Sequence, residues 1–260
     1  MTADELVREL ASAPPSAVAF DGDGTLWSGD VGEDFFFALL ESGDIREEAT
    51  HELRRAAEGA GLDPRGSGAE IARRLYDAYL SGTYREERIC EVMTWSFAGR
   101  STLAARDFAA GVLGDRFAQS RAHPEALAVL QQAAGLGYRT YVVSASPRAV
   151  VELAAAALGV PAERVLAATP RLRGGHILPD VDRPIPYGPG KAEALAAALG
   201  GGTLEAAFGD NAFDTDMLCA ARRPIAVRPK QRLVERAAQV PALRQLALED
   251  RPPGALPFPI

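Results

Sequence analysis

The sequence predicts an α/β protein: a three-layer, Rossmann-like parallel sheet with an all-helical cap domain inserted after its first strand. Three observations carry that expectation. The first is Ala17–Asp30, AVAFDGDGTLWSGD, in which four apolar residues run into two aspartates separated by a glycine. A short continuous apolar run of this kind is the pattern of a strand buried on both faces. The second is the alternation of helix-period and strand-type segments from His123 onward, the order expected of a parallel sheet covered by helices. The third is the stretch between them, where apolar residues recur at helical spacing and no convincing strand is found. The expected organisation is an α/β core from residues 1–30 and 118–260, with a helical cap at 31–117.

Composition bounds the functional classes. The chain has 260 residues, 47% apolar and 24% charged, enough for one large domain or a core plus a smaller insert. Its two cysteines, Cys90 and Cys219, have no metal-ligand spacing, which argues against a disulfide scaffold or a zinc site and suits a reducing compartment. A formal net charge of −7 gives no support to nucleic-acid or anionic-membrane binding. No apolar run approaches the roughly 18 residues a membrane helix needs. The N-terminus reads as a capping box, Thr2 with Glu5, opening a short helix through about Ala11 rather than a signal peptide. A cytoplasmic location is the expectation; the oligomeric state is not legible.

Taken in order, a Pro-Pro linker at Ala13–Ser16 precedes the first strand. Helices are expected over Gly32–Ser42, Glu47–Glu58, Gly68–Leu80, Glu86–Phe97 and Ser101–Leu113, each bounded by Gly, Pro or Asp turns. Beyond His123 come a helix at Pro124–Leu136, a strand at Arg139–Ser144, a helix at Pro147–Leu158 and a strand at Val165–Thr169. A hairpin follows over Leu172–Leu178, around Gly174-Gly175. The last elements are a helix at Gly190–Leu199, a strand at Glu205–Gly209, a helix at Thr215–Ala221, a strand at Pro224–Val227 and a helix from Lys230 to Ala238. The tail from Arg251 carries several prolines and no periodicity, and is expected to be loosely held.

Ligands of parallel sheets sit beyond the carboxyl ends of the strands. What each strand delivers there is therefore informative. The first delivers Asp21 and Asp23, spaced to project to one side of the backbone. Two carboxylates that close repel unless a cation lies nearby. The next delivers Ser144, then Ala145, Ser146 and Pro147 at an expected helix start, where a hydroxyl and amides welcome an anion. The strand at 205–209 delivers Asp210, with Asp214 and Asp216 beyond it, and Gly188-Pro-Gly190 leads into Lys191. Other motifs fail on single positions. A calcium hand starting at Asp21 needs an oxygen-rich ligand set ending in glutamate, but its fifth and twelfth places hold Thr25 and Gly32. A dinucleotide fingerprint needs glycine at Trp27, and a P-loop needs glycine at Ile185 and Ser or Thr at Ala192. The bland alternatives are solvated aspartates, Ser144 as a helix cap, Lys191 as a surface lysine, and Asp214 or Asp216 as caps. Together, carboxylates for a hard divalent cation, a hydroxyl with amides, and a lysine form what phosphoryl transfer needs.

These residues resemble the four motifs of the haloacid-dehalogenase superfamily of phosphohydrolases, especially its phosphoserine-phosphatase-like branch. The motifs stand here as DGDGT at Asp21–Thr25, VVSAS at Val142–Ser146, Lys191, and GDNAFD at Gly209–Asp214. The resemblance implies Asp21 as the nucleophile that becomes an aspartyl phosphate, and Asp23 as general acid and base. It implies Mg2+ held by the Asp21 carboxylate, the Asp23 backbone carbonyl and Asp210. Phosphate would be gripped by Ser144 and the amides of Gly22, Asp23 and Ala145, with Lys191 bridging to the nucleophile and Asp214 orienting it. The acid at Asp23 makes carbon–halogen cleavage an unlikely chemistry. The function expected is hydrolysis of a small phosphorylated metabolite; phosphotransfer or mutase activity, or a non-catalytic phosphate-binding module, are the alternatives. Asp30 takes the place of an acid that receives the substrate amine in phosphoserine phosphatases, so phosphoserine, phosphoethanolamine and phosphocholine are candidates, with Trp27 as an additional cation–π face; the plain reading of Asp30 is a helix cap. Asp216 is expected to cap a helix, and the histidines His51, His123 and His176 are expected to be surface or capping residues.

Overall fold

The computed structural model describes residues 1–248; the tail from Arg251 lies outside the described residues. Helix α1, Ala3–Ala11, starts as the sequence indicates: the Thr2 hydroxyl accepts from Glu5 N at 3.2 Å, and Glu5 Oε2 accepts from Thr2 N at 2.8 Å. Strand β1, Ala17–Asp21, is buried at every position. Its side chains alternate between two cores. Val18 and Phe20 join one cluster, and Ala17 and Ala19 the other, on the opposite face of the sheet.

The chain then leaves the sheet. Five helices follow: α2 Val31–Ser42, α3 Glu47–Gly59, α4 Gly68–Leu80, α5 Glu86–Trp95 and α6 Thr102–Leu113. They build an apolar centre of their own, from Phe36, Leu53, Ile71, Leu75, Ile89, Val92 and Trp95, which Ala168, Val181 and Ile185 of the α/β part complete. A short helix that periodicity did not reveal, α7 Phe117–Arg121, straddles the expected boundary at residue 117.

Helix α8, Pro124–Gly135, returns the chain to the sheet, with Pro at its first turn, where the missing N–H costs nothing. Strand β2 runs from Arg139 to Pro147, three residues past the expected end at Ser144. Its pairing with the next strand, β3 Val165–Ala168, slips between Ser144 and Pro147, and this irregularity accommodates the extra residues. Helix α9 consequently starts at Arg148 rather than Pro147. The expected hairpin is present as β4 Pro170–Arg173 and β5 His176–Val181. It is bonded to the helical insert, because Gly99 N donates to Ile177 O at 2.9 Å and Ile177 N to Arg100 O at 2.8 Å.

The remaining elements are α10 Pro189–Leu199, β6 Leu204–Gly209, α11 Thr215–Cys219, β7 Arg223–Ala226, α12 Gln231–Arg236 and β8 Arg244–Gln245. The six-stranded sheet has the order β3-β2-β1-β6-β7-β8, and all its pairs are parallel. Strand β1 is central, and Phe20 stacks on Phe208 of β6 with ring centroids 4.1 Å apart. The fold is thus the three-layer α/β arrangement expected, with the carboxyl ends of β1, β2 and β6 side by side.

Candidate active site

The turn after β1 is closed by its own backbone: Gly22 O accepts from Leu26 N at 2.9 Å, and Gly24 N donates to Trp27 O at 2.7 Å. Gly24 has φ +86°, and a side chain there would run into the Asp210 carboxylate. Gly22 lies against the Trp27 ring, where a Cβ would come within 2.6 Å of the indole. These glycines let β1 and β6 bring their aspartates together.

Five charged side chains meet behind that turn. Lys191 Nζ donates to Asp21 Oδ1 and to Asp214 Oδ1, each at 2.5 Å, and is 1% exposed. It enters from the first turn of α10, across the sheet. Asp21 Oδ2 accepts from Thr25 Oγ1 at 3.0 Å. Asp214 Oδ2 accepts from Asp210 N at 3.0 Å and Asn211 N at 2.9 Å, so both its oxygens are engaged in shaping the turn and holding the lysine. Asp210 differs. Both its oxygens are buried; Oδ1 has no hydrogen-bond partner, and Oδ2 is held only by the ion pair with Lys230 Nζ at 2.8 Å.

The oxygens of Asp21, Asp210 and Asp214 lie within 4.8 Å of one another. Three buried carboxylates face two ammonium groups, leaving negative charge in excess. Burial, and then the charges of Asp214 and Asp210, push the Asp21 carboxyl up against the opposing pull of Lys191. Burial and the Asp214 charge push Asp210 up to about 6, with Lys230 opposing. Burial works against the Lys191 ammonium, but Asp21 and Asp214 outweigh it and hold the group charged above its ordinary range. An all-oxygen donor set, excess negative charge and a buried carboxylate oxygen without a hydrogen-bond partner fit a hard divalent cation.

The Asp23 carboxylate turns to the other side of the turn. Oδ1 accepts from Trp27 Nε1 and from Val31 N, both at 2.7 Å; Oδ2 accepts from Ser146 Oγ at 2.8 Å and Ser144 Oγ at 3.2 Å. Ser144 therefore caps no helix. Its hydroxyl also accepts from Ser146 N at 3.0 Å, which uses one of the amides expected to be free for an anion.

Asp21, Asp23, Asp30, Ser144, Ala145 and Lys191 line one cavity of about 70 Å3, together with Ser146, Lys230, Tyr187, Phe213 and, from α5 of the insert, Glu86 and Cys90. Gly22, Asp210 and Asp214 stand behind this wall. Asp30 holds both places considered for it: Oδ1 accepts from Glu33 N at 2.9 Å as the cap of α2, and the side chain faces the cavity. Burial, then the charges of Asp23 and Glu33, push its carboxyl well up.

Several expectations are corrected. Trp27 is fully buried, edge-on to Phe117, and offers no face to a cation in the cavity. His123 is a core residue, 6% exposed, with Nδ1 3.0 Å from Thr25 O. Asp216 is exposed in the first turn of α11 and accepts no capping hydrogen bond. Lys230, Ser146, Glu86, Cys90, Tyr187 and Phe213 were not assigned to the site from sequence. Lys230 was findable, since it follows the end of β7 as Asp210 follows β6. Glu86 and Cys90, four apart on one helix, carried only the signal of sharing a face.

The chain was compared with known proteins. The family described as haloacid dehalogenase-like hydrolase matches over residues 18–219. No curated protein matches. A protein of unknown function from Bordetella pertussis Tohama I superposes with a TM-score of 0.70 at 23% identity, covering 91% of this chain and 100% of that one. A functionally unknown protein from Anaerococcus prevotii gives 0.63 at 15% identity, covering 92% and 90%. A substrate-bound phosphoserine phosphatase gives 0.52 at 16% identity, covering 89% and 93%.

Proposed function

The chain belongs to the haloacid dehalogenase-like hydrolases, and from that premise we propose that it is a Mg2+-dependent phosphatase of a small phosphate monoester, acting through an aspartyl phosphate on Asp21. The observation that carries this reading is the arrangement at the ends of β1 and β6. Asp21 is fixed by Lys191 and Thr25 beside an Asp210 whose buried Oδ1 has no hydrogen-bond partner. The ion would be held by Asp21, Asp210 and the Asp23 backbone carbonyl. When bound, Mg2+ offsets the charge on the phosphoryl oxygens, so that an anionic nucleophile can approach phosphorus.

The chain's own groups perform the rest. One Asp21 oxygen forms the bond to phosphorus while the ester oxygen departs, taking a proton from Asp23. Asp23 then takes a proton from the water that attacks the aspartyl phosphate, freeing phosphate and Asp21. Lys191 steadies Asp21 and the transferred oxygens, and Asp214 keeps that ammonium aimed. Ser144 and the Gly22 and Ala145 amides are the phosphate grip. The insert at 31–117 acts as the cap, with Glu86 and Cys90 of α5 excluding water from the strand ends. Release of p-nitrophenol from p-nitrophenyl phosphate, with Mg2+ and with chelator, tests the reading. Turnover that is metal-dependent in the wild type and lost in Asp21→Asn is expected; turnover unaffected by chelator, or retained by the variant, overturns it.

A further inference from the structure

The two ammonium groups of the site differ in how firmly they are held. Lys191 is buried and clamped between Asp21 and Asp214. Lys230 has one carboxylate partner among the described residues, Asp210 Oδ2 at 2.8 Å, and its side chain is 55% exposed. Both lysines line the cavity with Asp21 and Asp23.

The backbone under Lys230 is fixed where its side chain is free. Lys230 N donates to Asp210 O at 2.7 Å and Val227 N to Gly209 O at 2.9 Å, so the segment after β7 is laced to the end of β6. Arg228, between them, has φ +45°, a left-handed conformation that residues with side chains seldom adopt. Its guanidinium donates to both carboxylate oxygens of Glu125, at 2.6 and 3.2 Å, and Glu125 is fully buried in the first turn of α8. A lysine rooted in this way delivers its ammonium to Asp210 and can withdraw it into water while the main chain stays in place.

Asp210 needs that ammonium while nothing else offsets its charge. A buried carboxylate without a counter-charge is costly, and Oδ1 already has no hydrogen-bond partner. A divalent cation held by Asp21 and Asp210 would supply the missing charge. It would then repel an ammonium on the same carboxylate, in a buried setting where repulsion is poorly screened. Lys191 is locked in by two acids, so Lys230 is the group able to leave.

We propose that Lys230 is the built-in counter-ion of the metal site: its ammonium neutralises Asp210 in the metal-free protein, gives up Oδ2 when a divalent cation binds, and so limits the affinity for that ion. This rests on the reading of Asp210 as a metal ligand.

The test uses the full chain and Mg2+ alone: calorimetric titration of the metal-free protein, and urea midpoints without metal and with saturating Mg2+. Removing a competitor tightens binding by the factor that it destabilises the metal-free form. Lys230→Met is therefore expected to bind Mg2+ at least about tenfold tighter than wild type. Its metal-free midpoint should fall, by more than its midpoint in saturating Mg2+. Mg2+ binding no tighter than wild type, an unchanged metal-free midpoint, or a midpoint lowered equally with and without Mg2+ overturns the counter-ion role, while binding itself leaves the metal site standing. No Mg2+ binding by either protein overturns the metal-site reading and this inference with it. Lys230→Gln, also uncharged, decides by the same measurements should the methionine variant fail to fold.

Discussion

Two sets of acids at the site differ in how they are held. Those of the core hang from strand termini and backbone turns, and every oxygen of Asp21 and Asp214 has a partner within 3.0 Å. Asp30 and Glu86 sit at or next to the N-termini of α2 and α5, and Glu86 has only a long bond and a distant arginine. Carboxylates held on both oxygens, as Asp21 and Asp214 are, suit bond-making steps that tolerate little displacement. Acids at the junction with the insert and on the insert itself suit reading a leaving group that varies between enzymes of one fold.

Replacing Asp21 is the largest break of that comparison. Asp21→Asn is nearly isosteric and removes the nucleophile, so kcat should fall at least about a thousandfold for every ester, good leaving group or bad. Circular dichroism and the melting temperature should stay near wild type. Lys191→Met comes next and acts on stability as well as rate. Its removal leaves two carboxylates unpaired in the interior, which costs about 3–5 kcal/mol and should show as a lower urea midpoint.

Ser146→Ala is milder. It deletes the 2.8 Å bond to Asp23 and leaves the nucleophile untouched. Loss of about tenfold in kcat is expected for an alkyl phosphate, whose leaving oxygen needs the proton, and much less for p-nitrophenyl phosphate. Equal losses on both esters would place Ser146 on the phosphate rather than on the acid.

The smallest effect is a pH dependence. Asp210 titrates near 6 in the folded protein against an ordinary 3.8, so the metal-free native state binds more protons than the unfolded chain between those values. Its contribution to stability is full below about 3.8 and is lost as pH rises through about 6. Mg2+ requires the carboxylate, so its affinity should weaken about tenfold between pH 7 and pH 5. Urea midpoints of the metal-free protein and Mg2+ titrations at the two pH values check both signs. An affinity flat from pH 7 to 5 would mean that the Asp210 carboxyl is not raised into that range or does not hold the ion.

The strand-end residues and Asp30 were legible in the sequence; the residues the insert brings to the cavity were not. Asp21, Asp23, Ser144, Lys191, Asp210 and Asp214 lie at or beyond strand ends or helix starts, and a parallel sheet gathers its strand ends on one rim whatever the loops do. Glu86 and Cys90 meet the cavity only because the insert docks as it does. That docking depends on packing of Ile89, Val92 and Trp95 against Ala168, Val181 and Ile185, which no spacing encodes. Helix α7 and strand β8, five and two residues long, are too short to carry a period. The overrun of β2 to Pro147 escaped because a proline read as a helix start; its pairing with Ala168 decided otherwise. His123 looked like a capping residue by its place before Pro124, yet the Thr25 carbonyl gave its ring a buried partner.

The seat of Asp23 has a mechanical consequence. Its carboxylate is tied at once to the turn after β1 through Trp27, to the overrun of β2 through Ser144 and Ser146, and to the first residue of the insert through Val31 N. A carboxylate with bonds to three elements cannot change rotamer without releasing one of them. In the mechanism proposed, the proton donor is thereby geared to the start of the insert: tilting α2 would pull on the acid, and swinging the acid toward a substrate would loosen α2. Admission of substrate and readiness to protonate its leaving group would then be two readings of one lever.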